Sequence, residues 1–202
     1  MNELENLVAN GSVTDPASAR GRLLTKAAHL FRVKGYERTT VRDLAAEVGI
    51  QSGSIFHHFK TKEDILRAVM EETVLYNTER MRSALARCAN GREKVLALIK
   101  CELESITGQT GEAMAVLVYE WRSLSEVSQV RILGLREIYE QLWLESLHQA
   151  REEGDVVGDV FILRRFLTGA LSWTTTWFKP GGSLSLDQLA EQALLLAIKS
   201  GA

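Results

Sequence analysis

A chain of 202 residues, 46% of them apolar, can bury a large core, and it fits one small helical domain joined to a larger one. It contains no run of eighteen apolar residues and no signal-peptide pattern, so the expectation is a soluble, cytoplasmic protein with no membrane partner. Its net charge of −2 conceals an asymmetry: residues 17–64 hold nine Lys or Arg against five Asp or Glu, a local +4, and the remainder carries −6. A basic head on an acidic body fits a protein that meets phosphates at one end, although the asymmetry alone is weak evidence. Cys88 and Cys101 are too few for a disulfide framework or a metal site and read as small core residues.

Residues 1–16 end in Thr-Asp-Pro without a continuing apolar stripe and read as a flexible N-terminal arm or partly helical extension. Leu23, Leu24, Ala27, Ala28 and Phe31 then form an amphipathic helix that ends at Lys34 and Gly35, a cationic last turn followed by a left-handed stop. Thr40 as N-cap with Asp43 three residues on opens a helix over 41–48, with Val41, Leu44, Ala45 and Val48 on its apolar face. Gly49 permits a sharp turn into a second short helix over 52–58, which carries almost no bulky charge and is anchored by Ile50, Ile55 and Phe59. Ala45 keeps the crossing of the two helices close.

From Thr61 the pattern is helical throughout, with expected helices over 62–87, 91–107, 111–123, 126–152, 159–178 and 185–199. The long one carries Ile65, Leu66, Val69 and Met70 on its buried side. With the three before it, the fold class is all-α with about nine helices. The expected division is a 1–16 arm, a 17–64 helix-turn-helix domain and a 65–202 domain.

The stretch LTKAAHLFRVKGYERTTVRDLAAEVGIQSGSIFHHFKTKEDIL resembles the N-terminal DNA-binding domain of the TetR (tetracycline repressor) family of bacterial regulators. The resemblance spans about residues 20–70 and rests on Ala27, Ala28, Phe31, Gly35, Tyr36, Thr39, Thr40, Ser52, Gly53, Ser54, Phe56, His57, His58, Phe59 and Lys62. Phe56 and His57 stand where the family commonly has two tyrosines, so hydroxyl contacts to phosphate do not carry over. The resemblance implies a ligand-responsive regulator, a homodimeric repressor of a palindromic operator on double-stranded DNA, with no cofactor.

The residue chemistry points the same way. A recognition helix aims its N-terminal residues at base edges, and Gln51, Ser52 and Ser54 are small or flexible hydrogen-bonding groups, while Gly53 lets backbone approach closely. Thr40, His57, His58 and Lys62 suit phosphate oxygens. Lys62 does so because a cation in a first turn opposes the helix dipole until an external anion relieves it. Arg42 on the exposed side of its helix, with Arg20 and Arg22 before the first, are candidates for backbone or minor-groove contacts. Phe56 completes the DNA-binding set, although an aromatic there is more often packing than contact.

Two further sets lie in the larger domain. The helices around 159–178 and 185–199 are apolar over too much of their circumference for one buried face. Phe166, Gly169, Ala170, Thr174, Phe178, Leu189, Ala193 and Leu196 are the candidate dimer interface, which the resemblance implies is a two-fold four-helix bundle. Met114, Leu117, Tyr119, Trp121, Trp143, Leu147, Trp173 and Trp177, with Arg122 as a polar anchor beside His148, are candidate walls of an effector cavity; ordinary core is the competing reading for each. The segment WTTTWFKPGGSLS looks like one in family members that respond to acyl-CoA thioesters, which implies a small lipophilic effector. No catalytic constellation is legible: His29, His57, His58 and His148 lack metal-ligand spacing, and no enzyme is expected. The alternative is a helical carrier of lipophilic molecules, which would explain the aromatic middle but leave residues 39–62 without a purpose.

Overall fold

The computed structural model describes residues 3–108 and 110–199, and every regular element among them is helical. The α-helices are α1 Glu3–Ala9, α2 Ala19–Lys34, α3 Val41–Val48, α4 Ser52–Ile55, α5 Lys62–Leu85, α6 Gly91–Thr107, α7 Gly111–Tyr119, α8 Glu126–Glu152, α9 Val160–Trp173 and α10 Leu186–Ala197. Short 3₁₀ turns follow at Trp121–Ser123 and Thr174–Thr176. Among the described residues, no helix is long and apolar enough to cross a membrane, and no group of three or more His, Cys, Asp or Glu is placed to hold a metal.

The all-α expectation holds, with the additional helix in the N-terminal extension. Three elements are shorter than their apolar pattern suggests, for local reasons. Ser52, Gly53 and Ser54 are weak helix formers, so α4 makes one turn and continues as the tighter bonds His57 N to Ser54 O (3.3 Å) and His58 N to Ile55 O (2.9 Å). The expected 111–123 helix stops at Tyr119 and gives way to a 3₁₀ turn. The expected 159–178 helix stops at Trp173, where three successive threonines turn back on the chain: Thr174 Oγ1 donates to Leu171 O, Thr175 to Ser172 O and Thr176 to Trp173 O.

Packing divides the chain into two compact units that do not follow chain order. The first comprises Met1–Tyr76 with Thr110–Arg136. Its core gathers Leu23, Phe31, Leu44, Ala45, Ile55, Ile65, Leu66 and Met70, joined by Val116, Leu117 and Ile132. α7 lies along α2 and is tied to it through Glu112, which meets His29 Nδ1 at 2.9 Å and Arg32 at 3.5 Å. Glu120 accepts from the Tyr36 N–H at 3.1 Å, and Glu63 accepts from Ser125 N and Ser128 Oγ at 2.9 Å each. Residues 110–136 therefore brace the helix-turn-helix from within its own unit.

The second unit comprises Asn77–Gln109 with Glu137–Ala202. α10 and α9 pack on α6 around Val95, Leu98, Ile99, Leu103, Trp143, Leu147 and Leu171. Gly91 is required where α6 begins, because a side chain there would collide with the backbone of Ala150. A charged cluster lies inside this core: Glu102 accepts from Tyr139 Oη (2.9 Å) and Trp143 Nε1 (3.0 Å), and Arg164, 2% exposed, donates from Nε to Glu140 at 3.1 Å. The Arg164 guanidinium stacks 4.2 Å from the Trp143 ring centre. Burial, followed by the Glu102 charge, pushes the Tyr139 hydroxyl well above its ordinary range.

Candidate nucleic-acid interface

The second helix of the helix-turn-helix, α4, is held from beneath and open above. Ile55 and Phe59 are buried, while Gln51, Gly53, Phe56, His57 and His58 are exposed and Ser52 and Ser54 are half-buried. Gln51 occupies the N-cap of α4 but makes no capping hydrogen bond, so its amide is not spent there. A side chain at Gly53 would meet nothing within 4 Å, so the bare backbone faces open space. Phe56 is 55% exposed and offers a ring face beside the polar residues. Gly49, at φ 78°, supplies the left-handed stop: its N–H and that of Ile50 both reach Ala45 O at 2.9 Å.

The corner preceding α3 is fixed by internal bonds. Thr40 Oγ1 accepts from Asp43 N at 3.1 Å, while the Thr40 N–H and hydroxyl both donate to Asp43 Oδ2, at 2.7 and 2.8 Å. Lys34 Nζ joins the same oxygen at 2.6 Å. The Lys34 ammonium, with the Thr40 donors, holds the Asp43 carboxyl well below the usual carboxylate range. Thr40 thus gives both donors to its cap.

Lys62 is also occupied. Its Nζ donates to Tyr36 O (2.9 Å) and Thr39 O (3.0 Å) and lies 4.0 Å from the Tyr36 ring centre. Two of the ammonium's three N–H groups are thereby given to the α2–α3 corner. Lys62 is therefore not an unrelieved cation at its helix start, and the carbonyls that relieve it lie 26 and 23 residues upstream, out of reach of any local pattern. Tyr36 packs edge-on against Phe31 with ring centres 5.3 Å apart, and burial, with help from Glu63 and Glu37, pushes its hydroxyl up to about 12. Arg42 is exposed, whereas Arg22 reaches back to Ala17 O at 2.5 Å.

The candidate effector walls are distributed over both units. Met114, Leu117, Tyr119, Trp121 and Arg122 belong to the first, where Leu117 is buried and Tyr119 is 78% exposed. Trp143, Leu147, His148, Trp173 and Trp177 belong to the second. Trp143 and Leu147 are fully buried there, and Trp173 and Trp177 face outward. Among the described residues, one cleft of about 610 Å³ lies between the N-terminal extension and α5, and another of about 490 Å³ lies beside Leu85, Lys94 and Leu142. Neither is lined by the expected wall residues.

The candidate interface residues separate by helical phase. On α9, Phe166 (74% exposed), Gly169 and Ala170 face outward with Trp173, and on α10 Leu196 is 89% exposed. Thr174 and Leu189 are buried in the unit's own core, and Phe178 and Ala193 are half-buried. Ile162 on α9 and Leu195 on α10 are exposed as well.

Known proteins share the sequence pattern and the fold. The family model described as bacterial regulatory proteins, tetR family, matches residues 23–69, and a second, described as a tetracyclin repressor-like C-terminal domain, matches residues 88–200. The chain is 31% identical over 196 residues to the HTH-type transcriptional repressor KstR2 of Mycolicibacterium smegmatis, covering 95% of this chain and 94% of that one. A structure of the ketosteroid transcriptional regulator KstR2 of Mycobacterium tuberculosis superposes with a TM-score of 0.82 at 29% identity, covering 93% and 99% of the two chains. A crystal structure described as superantigen pfit superposes with a TM-score of 0.88 at 63% identity over 98% of each chain.

Proposed function

We propose, for a chain that belongs to the TetR family and is a helix-turn-helix DNA-binding transcriptional repressor of that family, that it holds a palindromic operator as a homodimer and releases it on binding a small lipophilic effector. It is a regulator and not an enzyme. The observation that carries the reading is the exposed turn Gln51–Ser54, with open space at Gly53, over the buried anchors Ile55 and Phe59. In this reading residues 17–64 are the DNA-binding domain and 65–202 the effector and dimerisation domain, and the protein works in the cytoplasm.

Gln51, Ser52, Gly53 and Ser54 read base edges, and Phe56 packs its exposed ring against the groove wall. His57, His58 and Arg42 reach phosphates directly. Thr40 and Lys62 take the same role at the α2–α3 corner, Lys62 through its remaining N–H and Thr40 by exchanging a capping bond for a phosphate oxygen. One short reading turn contacts too few base pairs to be selective, so two copies about 34 Å apart are needed. The exposed strip of Phe166, Gly169, Ala170 and Leu196 supports that pairing, with Phe178 and Ala193 at its margin and Thr174 and Leu189 backing it from inside.

For the effector, the acyl-CoA-type segment WTTTWFKPGGSLS and the relative described as a ketosteroid regulator both support a lipophilic molecule. Of the wall residues named from the sequence, those of the first unit, Met114, Leu117, Tyr119 and Trp121, are its proposed lining, with Arg122 as the polar anchor. An effector coupled to DNA by about 1 to 3 kcal/mol would weaken operator binding roughly 5- to 150-fold. α5, which begins at Lys62 and continues to Leu85, is the element whose tilt would move the reading turn.

Gly53→Glu tests the assignment. It adds a carboxylate on the open side of the turn, so specific DNA affinity should fall at least about a hundredfold with the thermal melt unchanged. Undiminished retardation of a duplex selected by the unaltered protein would remove the reading turn from DNA recognition. Salt-independent behaviour in a calorimetric titration with short duplexes would favour the carrier.

A further inference from the structure

The N-terminal extension is built into the head. Leu7 and Val13 are buried, and Ser12 and Val13 both donate to Leu7 O, which folds the segment after α1 back on that helix. Thr14 then meets the middle of α5: its N–H donates to Glu72 Oε2 at 2.9 Å and its hydroxyl to Glu72 Oε1 at 2.7 Å. The same hydroxyl oxygen accepts from Arg20 Nε at 3.1 Å. Arg20 Nη1 donates to the His58 carbonyl at 3.1 Å, and its guanidinium carbon lies 4.1 Å from the centre of the Phe59 ring. Gly21 permits the fold-back, since a side chain there would collide with the Asp15 carbonyl.

These contacts form one chain, Glu72 to Thr14 to Arg20 to His58, from a long helix to the turn that follows α4. α4 has a single turn of its own hydrogen bonds, so its angle is set by the packing of Ile55 and by what grips its C-terminal end. Arg20 grips the C-terminal end twice, at the His58 carbonyl and at the Phe59 anchor. Thr14 and Glu72 in turn fix the guanidinium.

We infer that residues 3–14 are a strap, and that Thr14, Arg20 and Glu72 are positioning residues that set the angle of the reading turn and so its sequence discrimination without touching DNA. This rests on the DNA-reading function proposed above. Arg20 spends Nε and one Nη1 hydrogen internally, which fixes its guanidinium against the turn, and a salt series separates that role from a phosphate contact through its remaining N–H groups.

The test uses the full chain. The unaltered protein selects its preferred duplex from a random-sequence library, and affinities of the variants are measured for that duplex and a scrambled one across a salt series. Glu72→Ala and Thr14→Val, the second preserving side-chain shape, should each weaken the selected duplex roughly tenfold while scrambled-duplex affinity holds or rises and the salt slope stays constant. Arg20→Gln should do the same. If Glu72→Ala binds the selected duplex as tightly as before or tighter, as simple charge removal predicts, the strap is overturned; if that variant does not fold, Thr14→Val decides alone in the same way. A salt slope lowered by about one in Arg20→Gln, with both duplexes weakened alike, would also overturn it by making Arg20 a phosphate ligand. A wild-type chain that enriches no duplex would overturn the DNA-reading premise itself, an outcome distinct from wild-type enrichment with indifferent variants.

Discussion

In the first unit most ion pairs lie at the rim of an apolar core: Lys34 with Asp43, Lys26 with Glu47, and Arg67 with Asp64 are all partly exposed, whereas the Glu71 side chain that meets Arg131 is 13% exposed. The second unit hides Arg164 and Glu102 among Trp143 and Tyr139 and turns Phe166, Trp173 and Leu196 outward. A rim of charge is what a surface facing polyanionic DNA and water can afford, since exposed pairs are cheap to hold and readily exchanged. A buried guanidinium with an exposed apolar strip is the reverse arrangement. It makes packing unique at a desolvation cost and leaves apolar area for another surface to cover.

The contrast can be broken at its strongest point first. Arg164→Ala would leave the buried Glu102 carboxylate without the cation 3.7 Å from it, while Glu140 keeps Arg165, and the folded state should lose about 3–5 kcal/mol, read by chemical denaturation. A loss no larger than that of Lys34→Ala in the head would mean that the buried cluster is no different from a rim pair. The apolar strip comes next. Leu196→Asp changes a side chain that is 89% exposed, so melting of the dilute chain should stay put while self-association weakens at least tenfold in sedimentation velocity. Unchanged association would place the dimer elsewhere.

The smallest effect concerns the rim. Because hydrogen bonds from Lys34 and Thr40 depress the Asp43 pKa, its contribution is fully present above the ordinary value of 3.8 and is lost as pH falls toward the lower folded value. The stability gap between wild type and Asp43→Asn should therefore be constant near neutrality and close only below about pH 4. A gap that closes already at pH 6 would point to a different titrating group.

The helix-turn-helix was legible because its signals are local. Thr40 and Asp43 are three residues apart, Gly49 stops its helix through bonds to Ala45 and Ala46, and the apolar face of α3 repeats within eight residues. The candidate effector walls were legible only as large side chains. Aromatic bulk on a helix does not state its phase, so Trp143 at the core and Trp173 at the surface look alike in one dimension. Glu63, Glu120 and Glu112, which brace the head, carried no signal, since each meets its partner from more than sixty residues away.

Sequence by itself determined the helical class, the caps, the reading turn and the family motif, because all of these depend on neighbours within one or two helical turns. Only tertiary structure decided that residues 110–136 pack with the head, that Lys62 is spent on the carbonyls of Tyr36 and Thr39, and that Arg20 holds His58. It also decided which half of the apolar C-terminal stripe is core and which is surface. The physical reason is the same each time: a charged or aromatic side chain takes its role from whatever long-range packing brings within about 4 Å, and periodicity along one helix does not encode that partner.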